Sequence, residues 1–359
     1  MNIGKRLGAL ALAPLLGCML VVGGEAQAAD GNSTQSGGKA MELEQQWDKT
    51  FQKSDKVDHS KVTFKNRYGI TLVADVYVPQ NAQGKMPAIA VAGPFGAVKE
   101  QAAGLYAQTM AERGFLTLAF DPSFVGESGG EVRNVASPDI NTGDFCAAVD
   151  YLVTRPDVDE ERIGIIGICG FGGMGLNAAA MDTRIKATVT STMYDMTRVT
   201  ANGYFDSMDA NARYKLREQL CEQRTKDARS GSYAAGGGLP DKITGEEPQF
   251  VKDYYDYYKT ERGYHPRCLN SAQGWNATSA LSFMTMPILA YAGEIRNAVL
   301  VMHGEKAHSR YFSETAFKLL KGDNKELLII PGASHTDLYD QMDVIPWDKM
   351  ESFFRANLK

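Results

Sequence analysis

From about residue 60 onward, short apolar runs alternate with stretches of helical spacing. Val62 to Phe64 and Thr71 to Val78 are β-rich, and Asn66-Arg67-Tyr68-Gly69 between them carries the residues of a hairpin turn. Six further runs have strand length: Ala88 to Ala92, Phe115 to Phe120, Ile163 to Ile168, Ala187 to Ser191, Ala298 to Met302 and Glu326 to Ile330. Their nearly continuous Val/Ile/Leu character fits strands buried on both faces. Gly104 to Arg113, Thr142 to Leu152 and Gly173 to Met181 predict helices between them, and Trp347 to Asn357 a closing helix. This alternation predicts an α/β class with a mostly parallel central sheet flanked by helices.

The rhythm fails between Met196 and Arg296. Asn211 to Ser230 is polar and helical in pattern, Gly231 to Glu247 is loop-like, and Tyr254-Tyr255-Asp256-Tyr257-Tyr258 is densely aromatic. The stretch reads as an insertion over the sheet, a lid or cap that shapes a pocket; each tyrosine could equally serve to pack it onto the body. The N-terminus also departs from the rest. Lys5 and Arg6, the apolar Leu7 to Gly23 and the small-x-small Ala26-Gln27-Ala28 form a secretory signal cut after Ala28, which predicts an exported, periplasmic or secreted protein. Leu15-Leu16-Gly17-Cys18 offers lipoprotein anchoring through Cys18 as a minor alternative. The expected division is a signal (1–28), a tether and lead-in (29–55), a first core part (56–195), the insertion (196–296) and a second core part (297–359).

Composition narrows the function. With 44% hydrophobic and 23% charged residues, the chain has ample core material and is neither disordered nor fibrous. Its net charge is -5 and it has no basic run, so a nucleic-acid partner is not expected; a small molecule is. Beyond the signal no segment is apolar enough to span a bilayer. The exported part holds Cys146, Cys169, Cys221 and Cys268, among which a Cys221–Cys268 bridge is conceivable. Nothing here indicates the oligomeric state.

The sharpest local signal is Gly164-Ile165-Ile166-Gly167-Ile168-Cys169-Gly170-Phe171-Gly172-Gly173, an apolar strand running through a small-residue turn into a helix. That is the setting of a nucleophile elbow. A thiol at a helix N-terminus feels the positive end of the dipole, which favours its thiolate. The Gly170 amide could donate to an oxyanion. Gly126-Glu127-Ser128-Gly129-Gly130 matches the same pattern literally but lacks the strand and helix around it, so Ser128 is expected to shape a loop. The base is His335, just after the last strand, where loops at the carboxyl ends of parallel strands converge. His308 is the rival, His303 is expected to be structural, and His59 and His265 lie outside the arrangement. Asp195 and Glu305 remain equal candidates to orient the base. In Gly93-Pro94-Phe95-Gly96 the proline has no N–H, so Phe95, or failing it Gly96, is the second oxyanion donor. No metal-ligand spacing is present, and neither metal nor cofactor is expected.

These residues resemble the α/β-hydrolase superfamily, and within it the dienelactone hydrolase-like group. The resemblance rests on Gly93-Pro94 with Lys99-Glu100-Gln101, Phe120-Asp121-Pro122 with Gly126 to Gly130, the Cys169 elbow, and Pro331-Gly332-Ala333-Ser334-His335. It implies an α/β-hydrolase fold, with Cys169 and His335 as nucleophile and base. Two departures stand out. The usual acid position, three residues after Gly304, is Ala307, and Phe171 sits where elbows need a small residue.

The leading expectation is hydrolysis of an ester, lactone or thioester through an acyl-Cys intermediate. An acyltransferase and a proline-type peptidase are alternatives on the same fold. A binding protein that has kept the fold without catalysis is an alternative of another class, motivated by Ala307.

Overall fold

The computed structural model describes residues 43–80 and 82–359. The expected signal, Cys18 and most of the expected tether lie outside the described residues. The sheet comprises β1 (Val57–Lys65), β2 (Thr71–Pro79), β3 (Met86–Ala92), β4 (Leu116–Phe120), β5 (Val158–Ile168), β6 (Ile185–Ser191), β7 (Ala298–Gly304) and β8 (Lys325–Ile330). Their spatial order is β1-β2-β4-β3-β5-β6-β7-β8. β1 and β2 form the expected hairpin, and β2 runs antiparallel to β4; every pairing from β4 to β8 is parallel. Asn66 closes the hairpin, its Oδ1 accepting from the Tyr68 and Ile70 amides at 3.0 Å each.

The helices are α1 (Ala102–Glu112), α2 (Pro138–Val153), α3 (Gly170–Met181), α4 (Met196–Asn202), α5 (Ala210–Ser230), α6 (Gln249–Lys259), α7 (Ala280–Phe283), α8 (Arg310–Leu319), α9 (Asp337–Asp340) and α10 (Trp347–Asn357). Tyr106 of α1 packs edge-on against Trp347 of α10, while α2 and α3 pack together and against β5. The central strands are buried on both faces, as their continuous apolar runs require. The stretch between β6 and β7 holds α4 to α7. The aromatic cluster there forms one face of α6, with Val251, Tyr254, Tyr257 and Tyr258 buried. Among the described residues no helix is long and apolar enough to cross a membrane.

A buried ion cluster ties the loop between β3 and α1 to its surroundings. Lys99 Nζ lies 2.6 Å from Glu100, 2.9 Å from Asp121 and 2.5 Å from Glu127. Lys61 of β1 also pairs with Glu127, at 2.6 Å, and Arg267, from the stretch between β6 and β7, reaches Glu100 at 2.9 Å. The three carboxylates converge closely enough to suit a cation, and the Lys99 ammonium bonds all three. Ser128 is structural here, as expected. Its Oγ accepts from the Val73 amide and donates to the Asp121 carbonyl.

Removing the ammonium would leave buried carboxylates uncompensated, so Lys99→Met should lower unfolding stability by roughly 3–5 kcal/mol at pH 7. Burial pushes Glu100 and Glu127 up, but the Lys99 charge, with Arg267 or Lys61, outweighs it and holds both at about 2. Folded values below the unfolded value of about 4.3 mean that this stabilisation is complete above pH 4.3 and lost as pH falls toward 2. Without Lys99 the same carboxylates protonate more readily in the folded state. Urea unfolding at pH 7 and pH 4 should therefore show the deficit of Lys99→Met narrowing on acidification; a constant deficit would count against this account.

Candidate active site

At the end of β5 the backbone turns sharply through Cys169, at φ 54° and ψ -124°, and enters α3. A non-glycine residue there is strained, and strain of this kind is held only where the surroundings enforce it. The flanking glycines make room. A Cβ at Gly167 would sit 2.2 Å from the Phe171 carbonyl oxygen, and one at Gly172 would lie 2.6 Å from Met193 Cβ. Phe171 is tolerated because its ring leaves the turn and packs edge-on against Phe145 of α2.

The backbone N–H groups of Phe95 and Gly170 and the Tyr339 hydroxyl lie close enough to the Cys169 thiol to favour its charged form. The two expected oxyanion donors are thus brought together at the sulfur. Phe95 is held from the stretch between β6 and β7. Asn270 Nδ2 donates to the Phe95 carbonyl at 2.7 Å, and the Leu269 amide to that of Gly96 at 2.8 Å. Gly96 has φ +88°, and a Cβ there would lie 2.8 Å from the Asn270 amide group, so only glycine admits this approach. The Phe95 ring stacks on Trp275 at 4.2 Å.

His335 follows β8 and is fully enclosed. Its Nε2 is 3.1 Å from the Tyr339 hydroxyl, one helical turn on, so Tyr339 connects the imidazole to the sulfur. Its Nδ1 faces two hydroxyls, Ser309 at 2.5 Å and Thr192 at 2.9 Å. Neither expected carboxylate bonds it. Asp195 caps α4, accepting from the Arg198 amide and the Thr197 hydroxyl, and lines a separate cleft of about 420 Å³ with Arg198, Phe283 and Phe312. Glu305 accepts from the Gly332 amide at the surface. Both satisfy backbone donors close to them, which removes them from the histidine. His308, the rival base, bonds the Tyr194 hydroxyl at 3.1 Å and stacks on Phe250. Tyr339, Ser309 and Thr192 are the residues that the sequence reading missed. The four-residue step from His335 to Tyr339 was the available signal; a lone hydroxyl in a loop carries none.

Burial dominates the electrostatics. It pushes the Cys169 thiol up, and the bonds from Tyr339, Phe95 and Gly170 only partly offset this. It pushes His335 well below the usual histidine range, assisted by His308 and His303, and lowers both of those to about 3. The resting pair is a neutral thiol and a neutral imidazole. The expectation that the helix terminus favours the thiolate is therefore corrected: desolvation outweighs the Tyr339 hydroxyl and the Phe95 and Gly170 amides. All four described cysteines are free, so the conceivable Cys221–Cys268 bridge is not formed.

The comparisons with known proteins agree with this architecture. The model of a family described as X-Pro dipeptidyl-peptidase (S15 family) matches residues 68–337. Protein PA2218 of Pseudomonas aeruginosa is 58% identical over 359 residues, spanning 99% of this chain and 96% of that protein. Its crystal structure superposes with a TM-score of 0.87, covering 89% of this chain and 100% of that one. A thiohydrolase of Aspergillus aculeatus, aneE, is 33% identical over 132 residues, 37% of this chain and 41% of that protein. The α/β hydrolase GrgF from Penicillium superposes with a TM-score of 0.66 at 20% identity, covering 84% of this chain and 99% of that one. The fold is that of the α/β hydrolases.

Two solution properties follow from the enclosed site. Iodoacetamide should modify the exposed Cys221 first. Cys146, pushed up to about 12 by burial, and the enclosed Cys169 should react more slowly; fast labelling of Cys169 in the native protein would contradict a buried thiol. Three histidines kept neutral by burial must also charge on unfolding in acid. Their folded values lie below the unfolded value of about 6.5, so their contribution is complete above that pH and lost as pH falls, by up to about 1.4 kcal/mol per pH unit for each. Urea unfolding between pH 7 and 5 should show stability declining, with a shallower decline in His303→Gln; a flat profile would exclude it.

Proposed function

The chain belongs to the S15 family of X-Pro dipeptidyl-peptidases, a family of hydrolases, and from that premise we propose that it cleaves a small-molecule ester, lactone or thioester through a covalent acyl-Cys169 intermediate. The observation that carries this reading is the sulfur at the strained elbow, set against two backbone N–H groups and linked through Tyr339 to His335. The partial likeness to a thiohydrolase favours thioesters within that class. The sequence's resemblance to the dienelactone hydrolase-like group, with its Cys nucleophile, supports the same chemistry.

The proposed mechanism begins from the neutral pair. The Cys169 proton passes to the Tyr339 oxygen as the Tyr339 proton passes to His335 Nε2. The thiolate attacks the substrate carbonyl, and its π electrons move to the oxygen, which accepts from the Phe95 and Gly170 amides. Collapse of the adduct expels the leaving group, which takes back the proton through the same pathway. Water then repeats the sequence on the thioester; another acceptor in place of water would give acyl transfer. In this reading residues 196–296 act as a cap, supported by the Tyr254 ring 5.3 Å from that of His335 and by Asn270 holding Phe95. Residues 1–28 are read as an export signal, so the substrate is met outside the cytoplasm.

The family description favours a second reading, a peptidase releasing X-Pro dipeptides. The full chain and Cys169→Ala should be assayed on p-nitrophenyl acetate, a short acyl thioester and Ala-Pro-p-nitroanilide. Turnover of the first two with loss of at least about a hundredfold in kcat in the variant is expected. Turnover of the anilide alone would install the peptidase reading, and unchanged turnover by Cys169→Ala would remove the cysteine from the mechanism. No turnover at all, with tight ligand binding, would leave a non-catalytic binder.

A further inference from the structure

We propose that a neutral Ser309–His303 relay, with Thr192 beside it, replaces the triad carboxylate and holds His335 in the tautomer that leaves Nε2 free to accept a proton. The inference rests on the hydrolase reading above. It identifies positioning residues for that site rather than new contacts with substrate.

The geometry is a chain of alternating hydroxyls and rings. His335 Nδ1 is 2.5 Å from Ser309 Oγ, Ser309 Oγ is 3.0 Å from His303 Nε2, and His303 Nδ1 is 2.6 Å from Ser313 Oγ. Thr192 Oγ1 touches both rings, at 2.9 Å from His335 Nδ1 and 3.4 Å from His303 Nε2. Every member is buried, with at most 1% exposed. Three elements contribute: His303 ends β7, Ser309 and Ser313 belong to the start of α8, and Thr192 follows β6. Thr192 has φ +47°, which is uncommon for a β-branched residue, so the chain holds this hydroxyl in place against a backbone preference.

Proton counting shows what the chain can specify. A neutral imidazole has one N–H, and a hydroxyl has one proton to give. For His335 Nε2 to be a base, the ring proton must sit on Nδ1 and be donated to Ser309. Ser309 then donates to His303 Nε2, which must be an acceptor, so the His303 proton sits on Nδ1 and is donated to Ser313. Each step is satisfied. The reversed chain would be satisfied too; this direction is the one that leaves Nε2 free to take the Cys169 proton through Tyr339, the outcome for His335 that a triad carboxylate produces. It is reached without a charge, which suits a site where burial keeps all three histidines neutral. The ionisable groups facing His335 are His303, His308, Tyr194, Tyr254 and Tyr339, and among the described residues no carboxylate bonds it.

The test uses the full chain labelled with 15N-histidine, assayed on p-nitrophenyl acetate. The wild type should show His335 as the Nδ1–H tautomer near pH 7, and Ser309→Ala should show a tautomer mixture. The same variant should lose roughly tenfold in kcat, about one neutral hydrogen bond, with KM within about twofold. Ser309→Thr should restore most of both. Ser309→Asp should place a carboxylate on Nδ1, raise the protonation of His335 and move the acid limb of kcat/KM upward by more than about one pH unit while keeping the Nδ1–H tautomer. The inference is overturned by wild-type His335 in the Nε2–H form, or by Ser309→Ala with wild-type tautomer and kcat. Should Ser309→Asp not fold, the alanine and threonine variants decide alone. Should the wild type turn over no ester, the hydrolase reading fails first, and the NMR result still decides the tautomer claim.

Discussion

The left-handed backbone of Cys169 is the constraint around which the site is arranged. Holding a non-glycine residue at φ 54° between β5 and α3 requires neighbours without side chains, and Gly167 and Gly172 supply them against Phe171 and Met193. The turn brings the sulfur beside the Gly170 amide at the head of α3, and the loop after β3 delivers the Phe95 amide to the same point. Parallel strands make that meeting unavoidable, because the loops that follow β3, β5, β6, β7 and β8 leave the sheet at one edge.

Two buried polar systems stand on either side of this point, and they differ in kind. Around Lys99 charge is met by charge, and the cluster joins the hairpin, two loops and the stretch between β6 and β7. Around His335 hydroxyls meet imidazoles. The proposed nucleophile fits the second system. A thiol ionises several units below an aliphatic hydroxyl, so a base without carboxylate support can still deprotonate it once substrate is in place. A serine at position 169 would demand a stronger base than this network provides.

The sheet was legible because its strands are buried on both faces and therefore read as unbroken apolar runs. The elbow was legible because its glycines are a steric necessity of the turn. Helix α8 went unassigned because only part of it faces the core, and α6 was noticed as a cluster of tyrosines rather than as a helix. The orienting group of His335 was sought among Asp195 and Glu305, since carboxylates are what a sequence displays as candidate acids. Those two are occupied by the Arg198 and Gly332 amides. Hydroxyls such as Ser309 and Thr192 gain their meaning only from the positions to which β6 and β7 bring them. The cysteine, by contrast, was found readily while its ionisation was misjudged: enclosure by distant tyrosines is a property of the tertiary structure alone.

The bond from Asn270 to the Phe95 carbonyl has a further consequence. The stretch between β6 and β7 thereby fixes one of the two peptides whose N–H groups face the sulfur. A substitution that removes the Asn270 amide would free the Phe95 peptide to turn. Damage at position 270 would thus reach the surroundings of the sulfur through the backbone of another loop, leaving the elbow itself untouched.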